Sequence, residues 1–287
     1  MPSLDADQLR QFDRDGYLLL HQVIPLESLQ GVVRSIEKTV DRKARELLHD
    51  GMIANLYTNE PFERRWQAIV AEIGSRQTRR SWDDDVIDES FFDLMRNPAL
   101  VDVIESLLGS EILAMGIVAV RPKIPGDNRT TVLWHQDSHY FGNDSASQDI
   151  LTVWLPLVRA DHHNGCLQVI PGSHRWGLQA AEKDPIQNVF RPVEDPTKRG
   201  EPVTCEMEVG DLLVFNNLTF HRSTENHSDH TRWSIDLRYC SPSTQFDQLS
   251  RFIPGFIARS ITQRVDHWPE WQSRINTWRQ TCVMKNA

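Results

Sequence analysis

The sequence is short of the residues that mark unusual proteins. Glycine and proline number only 14 and 15 among 287 residues, with no repeat and no low-complexity linker, which excludes fibrous and disordered architectures. Basic residues are outnumbered, 31 Lys and Arg against 40 Asp and Glu, for a formal charge of −9. A surface for duplex nucleic acid or anionic lipid carries the opposite sign, so neither a nucleic-acid nor a membrane partner is expected. No run reaches the ~18 apolar residues of a membrane span. The opening residues are broken by Asp5, Asp7, Arg10, Asp13, Arg14 and Asp15, so they hold no signal-peptide stretch, and the expected location is cytoplasmic. Cysteine is scarce too. Cys166, Cys205, Cys240 and Cys282 form no C-x-x-C pair and read as reduced, mostly buried thiols. What remains is a soluble, mildly acidic globular protein. A chain of this length buries roughly 70–75% of its unfolded surface without a disulfide or metal staple, and residues 1–287 are expected to form one domain.

The period of the apolar residues divides that domain in three. Residues 1–110 read as mostly helical. Asp5 and Gln8 have capping-box spacing, and Pro25 opens a segment with apolar residues at Leu26, Leu29, Val32, Val33, Ile36 and Val40. Between Met52 and Asp88, with its charged stretches Arg76 to Arg80 and Asp83 to Asp85, the pattern predicts loop with a short helix around Pro61 to Ile73. A further helix runs from Pro98 to Leu108 and stops at Gly109. Residues 111–240 then change to short β-branched and aromatic runs: Ile112 to Arg121, Thr130 to His135, Ile150 to Val158, Cys166 to Ile170, Val203 to Glu208, Leu212 to Phe215, Thr219 to His221 and Thr231 to Tyr239. Strands at this spacing predict an α+β, mainly β fold with a sandwich or jelly-roll core and helices packed outside. Residues 241–287 return to helix through Trp268, Trp271 and Trp278.

The chemistry gathers at the ends of these strands. In Trp134-His135-Gln136-Asp137 the residues at i and i+2 of a predicted strand face one side, so His135 and Asp137 point into one cavity. Downstream, Gly210-Asp211 turns into Leu212 to Phe215, and His221 follows on the next strand. Two imidazoles and a carboxylate on a β scaffold supply one face of an octahedron and leave three positions open, the arrangement of non-haem Fe(II) oxygenases. Arg232 lies in a β-type run expected to return beside the His221 strand, where its planar fork suits the far carboxylate of 2-oxoglutarate. Ser223 shares a face with His221 and offers that carboxylate a hydroxyl.

The chain resembles the phytanoyl-CoA dioxygenase family of Fe(II)/2-oxoglutarate oxygenases. The likeness is carried by Phe12 with Asp15-Gly16-Tyr17-Leu18, by His135-Gln136-Asp137-Ser138-His139-Tyr140, by Asn164-Gly165-Cys166-Leu167, and by Pro171-Gly172-Ser173-His174. It continues through Gly210-Asp211, His221 and Arg232, and so spans Gln11 to Tyr239. The resemblance implies a double-stranded β-helix (cupin-like) core flanked by N- and C-terminal helices. It also implies Fe(II) held by His135, Asp137 and His221, and 2-oxoglutarate held by Arg232 with Ser223 and Trp154 beside it. A further cosubstrate contact upstream of the triad falls on Arg121 or Lys123. The implied reaction uses O2 and oxidises an unactivated C–H bond of a small-molecule substrate, most simply by hydroxylation, releasing succinate and CO2. Halogenating relatives replace the carboxylate ligand by a small residue; Asp137 is present here.

Candidate substrate contacts are Tyr140 and Phe141, which follow the first two ligands, together with Arg121 and Lys123. Strand alternation puts Arg232, Ser234, Asp236 and Arg238 on one face, so Arg238 either reaches the barrel mouth to meet an anionic substrate or pairs with Asp236. Gly177 to Gly200 is long for a connection, a substrate cover or a surface loop. His139, His162, His163 and His174 read as hydrogen-bonding residues and not as further ligands. Two other readings compete with the oxygenase. One is a zinc hydrolase or isomerase on a cupin-like barrel, which leaves Arg232 without a role. The other is a β-sandwich binding module without turnover.

Overall fold

The computed structural model describes residues 3–74, 82, 86–184, 189–246 and 248–286; the charged stretches 76–80 and 83–85 lie outside them. The helices of the first part are α1 (Ala6–Asp15), α2 (Leu26–His49), α3 (Phe62–Ile73), α4 (Glu89–Met95) and α5 (Pro98–Leu108), with strand β1 (Tyr17–Leu20) between the first two. Then come β2 (Ile112–Lys123), the short α6 (Ser138–Phe141), β3 (Ile150–Pro156), β4 (Leu167–Val169), β5 (Ala181–Lys183), β6 (Phe190–Pro192) and β7 (Val203–Cys205). The chain closes with β8 (Leu212–Asn216), β9 (His221–Ser223), β10 (Arg232–Cys240), β11 (Ile253–Arg259) and α7 (Trp268–Asn286).

Local chemistry explains the helix ends. Asp5 accepts from the Asp7 and Gln8 backbones, and Gln8 returns a bond to Asp5, completing the capping box. Gly109 ends α5 as expected. The α4 helix was not visible as an apolar period, but Asp88 caps it through the Ser90 N–H.

The strands form two antiparallel sheets and a separate two-stranded one. The larger sheet runs β1-β8-β3-β10-β2-β11, the smaller β7-β4-β9, and β5 pairs with β6. Alternation along β10 sets the layers. Trp233, Ile235, Leu237 and Tyr239 join a core in which the outer face of the large sheet meets the helices, through Val32, Ile36, Phe91, Leu100 and Ile104. The C-terminal helix joins the same core through Trp271 and Ile275. Between the sheets lies a smaller core of Trp154, Leu213 and Phe215 against Leu167, Val169 and Met207. This is the jelly-roll core with outer helices that the strand spacing predicts.

Four expectations differ from the structure. Thr130 to His135 is not a strand: Asn128–Thr130 forms a 3-10 turn, stabilised by Asp127 accepting from Arg129 N–H and by Thr130 Oγ1 donating to the Asp127 carbonyl. Such local side-chain bonds compete with a ladder. Strands β1 and β11 lie in segments read as helix or extension; β11 can approach β2 because a Cβ at Gly116 would meet the Ile253 carbonyl at 2.0 Å. Within 177–200, β5 pairs antiparallel with β6, and residues 185–188 lie outside the described residues. Finally, β10 does not return beside β9: it pairs with β2 and β3, while β9 pairs with β4. The two strands face each other across the cavity.

All four cysteines are unpaired and three are buried. Among the described residues no helix is long and apolar enough to cross a membrane.

Trp271 anchors α7 to the sheet. It is fully buried, packs on Phe92 and Phe256, and donates its indole N–H to the Pro254 carbonyl at 2.6 Å. Trp271→Ala should lower stability by about 3–5 kcal/mol, read as a fall in the urea midpoint; an unchanged midpoint would show that α7 adds nothing to the core.

Candidate metal centre

A single antiparallel bridge builds the centre. His135 N–H donates to the His221 carbonyl and His221 N–H to the His135 carbonyl, both at 3.1 Å, which sets the two imidazole centroids 4.1 Å apart. Asp137 arrives by a different route from the one alternation predicts. Its backbone is already helical (φ −60, ψ −30) at the entry to α6, and this turn swings the carboxylate back beside the imidazoles. The convergence of His135 with Asp137 is therefore as expected, but a helix start produces it and not a strand.

Asp137 Oδ1 lies 3.4 Å from His135 Nε2 and 3.6 Å from His221 Nε2. All three side chains are buried, and their ligand atoms lie within 4.8 Å of one another. Each imidazole sets its Nδ1 against the carbonyl two residues back, Leu133 at 2.8 Å and Thr219 at 3.0 Å. A carbonyl can only accept, so the proton sits on Nδ1 and the Nε2 lone pairs turn to the common point. Burial, with His135 adding to it, pushes the His221 pKa down to about 4 and keeps the ring neutral. At Asp137, burial works to raise the pKa, but the Arg238 guanidinium leads the effects that outweigh it and the carboxyl sits well below the usual range. Two imidazoles and one carboxylate, all three lining a cavity, fit a divalent cation of the non-haem iron type. Among the described residues no other three His, Cys, Asp or Glu side chains converge this way.

Beside the triad two cations are buried together. Arg232 and Lys123 are direct partners in the β10–β2 ladder. Lys123 Nζ donates to Ser223 Oγ at 2.8 Å, Thr131 Oγ1 at 3.2 Å and the Thr130 carbonyl at 3.1 Å. Arg232 donates to Ser234 Oγ, lies 5.2 Å from the centroid of the Trp154 ring, and leaves Nε unpartnered. Burial lowers the pKa of both, and Arg232 adds to the effect at Lys123. Neither forms an ion pair with a carboxylate among the described residues, a costly state that an anionic ligand relieves. Gly165 makes room: its φ is +96, and a Cβ there would lie 2.3 Å from Lys123 Cδ and Cε.

The structure thus brings Arg232, Ser223 and Trp154 together, and of the two upstream candidates it adds Lys123. Arg121 instead bonds Asp236 Oδ2 at 3.2 Å, with about half of its side chain exposed. Arg238 is not at the mouth: its Nη2 reaches Asp137 Oδ2 at 3.2 Å and its Nη1 lies 3.5 Å from Asp236. Tyr140 sets its ring edge-on to His135 and accepts the Phe190 N–H; Phe141 lines the cavity and packs on Phe246. Phe190 of β6 stacks on His139 at 5.3 Å. The cavity between the sheets has a volume of about 640 Å³.

Two residues at the site escape sequence reasoning. Thr152 Oγ1 donates to Asp137 Oδ2 at 2.6 Å; a lone threonine in the apolar run Ile150 to Leu155, on the face of Trp154, is its only signal. Gln136 is fully buried and ties the ligand segment to the start of 177–200, donating to the Gly177 and Leu218 carbonyls and accepting from Gln179 N–H.

A family profile described as Phytanoyl-CoA dioxygenase (PhyH) matches residues 12–234. The chain is similar to the peroxisomal phytanoyl-CoA dioxygenase of Bos taurus, 23% identical over 248 residues that cover 85% of this chain and 70% of that protein. It is also similar to the ectoine dioxygenase of Bordetella bronchiseptica, 23% identical over 254 residues, 83% of this chain and 76% of that one. Among solved structures it is similar to the non-heme monooxygenase ThoJ in its apo form, with a TM-score of 0.61 at 18% identity over 95% of this chain and 99% of that chain. EctD from S. alaskensis with 2-oxoglutarate and 5-hydroxyectoine gives a TM-score of 0.57 at 21% identity, covering 85% and 79%. At these identities the structural likeness is one of fold.

The geometry generates a direct test. Metal-free protein titrated with Ni(II) in a calorimeter should bind one ion, and His221→Ala should abolish saturable binding at micromolar metal; wild-type affinity in that variant would place the ion elsewhere.

Proposed function

The chain belongs to the phytanoyl-CoA dioxygenase family, and from that premise we propose that it is an Fe(II)- and 2-oxoglutarate-dependent dioxygenase that hydroxylates an unactivated C–H bond of a small molecule. His135, Asp137 and His221 would hold the iron. The bound iron supplies the redox chemistry that couples O2 and the oxidative decarboxylation of 2-oxoglutarate, to succinate and CO2, to removal of hydrogen from the substrate.

The remaining work falls to the chain. Arg232 and Lys123 offer two positive charges to the far carboxylate of 2-oxoglutarate, and Ser223 stands between them as a neutral donor. The Arg232 fork, set over the Trp154 ring, orients that carboxylate in a plane. Once the carboxylate is seated, both cations face an anion in place of neutral partners alone. On the other side of the triad Ile117, Phe141 and Val189 line the cavity; such walls align an aliphatic substrate and keep water away from the reacting bond. The β5–β6 pair, packed on His139 and Tyr140 through Phe190, serves as the cover.

The observation that carries this reading is the pair of buried, carboxylate-free cations beside a vicinal two-imidazole, one-carboxylate cluster. A zinc hydrolase has no use for them. It also needs a general base, and among the described residues the carboxylates lining the cavity are Asp137, in the ligand set, and Asp236, held by arginines.

Anaerobic addition of Fe(II) and then 2-oxoglutarate should produce a weak visible charge-transfer band. The band should be absent in His135→Ala; a well-folded, iron-loaded wild type without it refutes the cosubstrate assignment. Arg232→Ala removes one partner of a buried charged contact, worth about 2–5 kcal/mol, so the 2-oxoglutarate concentration giving half the band should rise roughly 30-fold or more. Because burial and Arg232 hold Lys123 below the usual lysine range, 2-oxoglutarate affinity should fall with rising pH before exposed lysines titrate. That fall should vanish in Lys123→Met.

A further inference from the structure

The two oxygens of Asp137 have different neighbours. Oδ1 faces the imidazole Nε2 atoms of His135 and His221. Oδ2 is turned away and occupied: Thr152 Oγ1 donates to it at 2.6 Å and Arg238 Nη2 at 3.2 Å. Thr152 and Arg238 are themselves direct partners in the β3–β10 ladder, inside the six-stranded sheet. Backbone hydrogen bonds therefore set the spacing of the two donors, not the conformation of a loop. Asp236 Oδ2 lies 3.5 Å from Arg238 Nη1, an ion pair without a hydrogen bond, and accepts from Arg121 Nε.

We propose that Thr152 and Arg238 are positioning residues that reserve Oδ2 of Asp137, so that this carboxylate gives the metal one oxygen only. The inference rests on the metal site proposed above. A carboxylate beside a divalent cation readily binds through both oxygens when both are free. The two-imidazole, one-carboxylate set is useful because it leaves positions open, and a second oxygen from Asp137 would fill one of them. With a hydroxyl and a guanidinium on Oδ2, two-oxygen binding requires breaking two hydrogen bonds, both charge-assisted by the carboxylate, among side chains that are more than nine-tenths buried. Arg238 is only 5% exposed. If it served only to fill the interior, an uncharged side chain of similar length would replace it without effect on the metal.

Co(II) alone is the probe, added without oxygen to metal-free protein and followed by its visible d–d absorption, which responds to coordination number. Arg238→Met and Thr152→Val should each shift the saturated Co(II) spectrum toward the weaker d–d bands of a higher coordination number, as a second Asp137 oxygen would give. Thr152→Ser, which keeps the hydroxyl, should match wild type. Should Arg238→Met fail to fold, the Val and Ser variants at 152 decide the matter. A saturating spectrum that is unchanged in the Met and Val variants overturns the proposal while the metal site stands. No saturable Co(II) binding by wild type overturns the metal site and this proposal together.

Discussion

Strand β10 carries a stripe of charged and polar side chains into the interior, and the cost of removing them from water organises the rest of the structure. Arg232, Ser234, Asp236 and Arg238 all point into the space between the sheets, and each is less than a tenth exposed. Isolated buried charges are prohibitive, and paired ones are tolerated only with good geometry. At the Arg238 end the charges are matched within the protein, since Arg238 lies between Asp137 and Asp236, and Arg121 completes the series at the half-exposed rim. At the Arg232 end they are not matched: Lys123 sits across the ladder from Arg232, and the nearest donors and acceptors are neutral. One end of the strand is self-compensated beside Asp137, and the other holds two cations with no carboxylate partner among the described residues.

The opposite face of the same strand explains why so much of the chain is helical. Trp233, Ile235, Leu237 and Tyr239 would be an exposed apolar stripe on a sheet standing alone. Helices from both ends of the chain cover it, and Trp82 meets Trp66 and Trp233 edge-on there. The rigidity of that packed layer is what allows cross-strand partners such as Arg238 with Thr152, and Arg232 with Lys123, to hold side chains at defined separations. The small sheet contributes less area, yet its β9 strand presents His221 and Ser223 from the other side, so the metal centre and the cation pair are both completed across the cavity.

Much of the site is legible in the sequence because its parts are local or periodic. His221 and Ser223 share a face by alternation, as do the four polar residues of β10, and both patterns hold. The H-x-D pair converges as expected, but through a helix start at Asp137 that alternation does not describe. The strand read at Thr130 to His135 failed because Asp127 and Thr130 bond their own backbone, a competition between local and ladder hydrogen bonds that β propensity does not register. The choice between Arg121 and Lys123 depended on which cation reaches Ser223, which only the facing of β2 and β9 decides. Thr152 escaped for the same reason: a threonine in a buried strand acquires meaning only once its cross-strand partner is known.

The amino-acid order alone therefore carried the mainly β core with outer helices and, with the family resemblance, put forward His135, Asp137, His221, Arg232 and Ser223 as the site candidates. The elements follow from periods of two and 3.6, which act over a few residues, and the candidate residues from their chemistry and the motifs they stand in. Tertiary structure alone decided that β10 lies across from β9 and not beside it, that Lys123 joins Arg232, and that Arg238 and Thr152 hold the outer oxygen of Asp137. Those relations link residues distant along the chain, and their energies come from burying charge against a particular partner, a quantity that exists only once the two sheets have closed on each other.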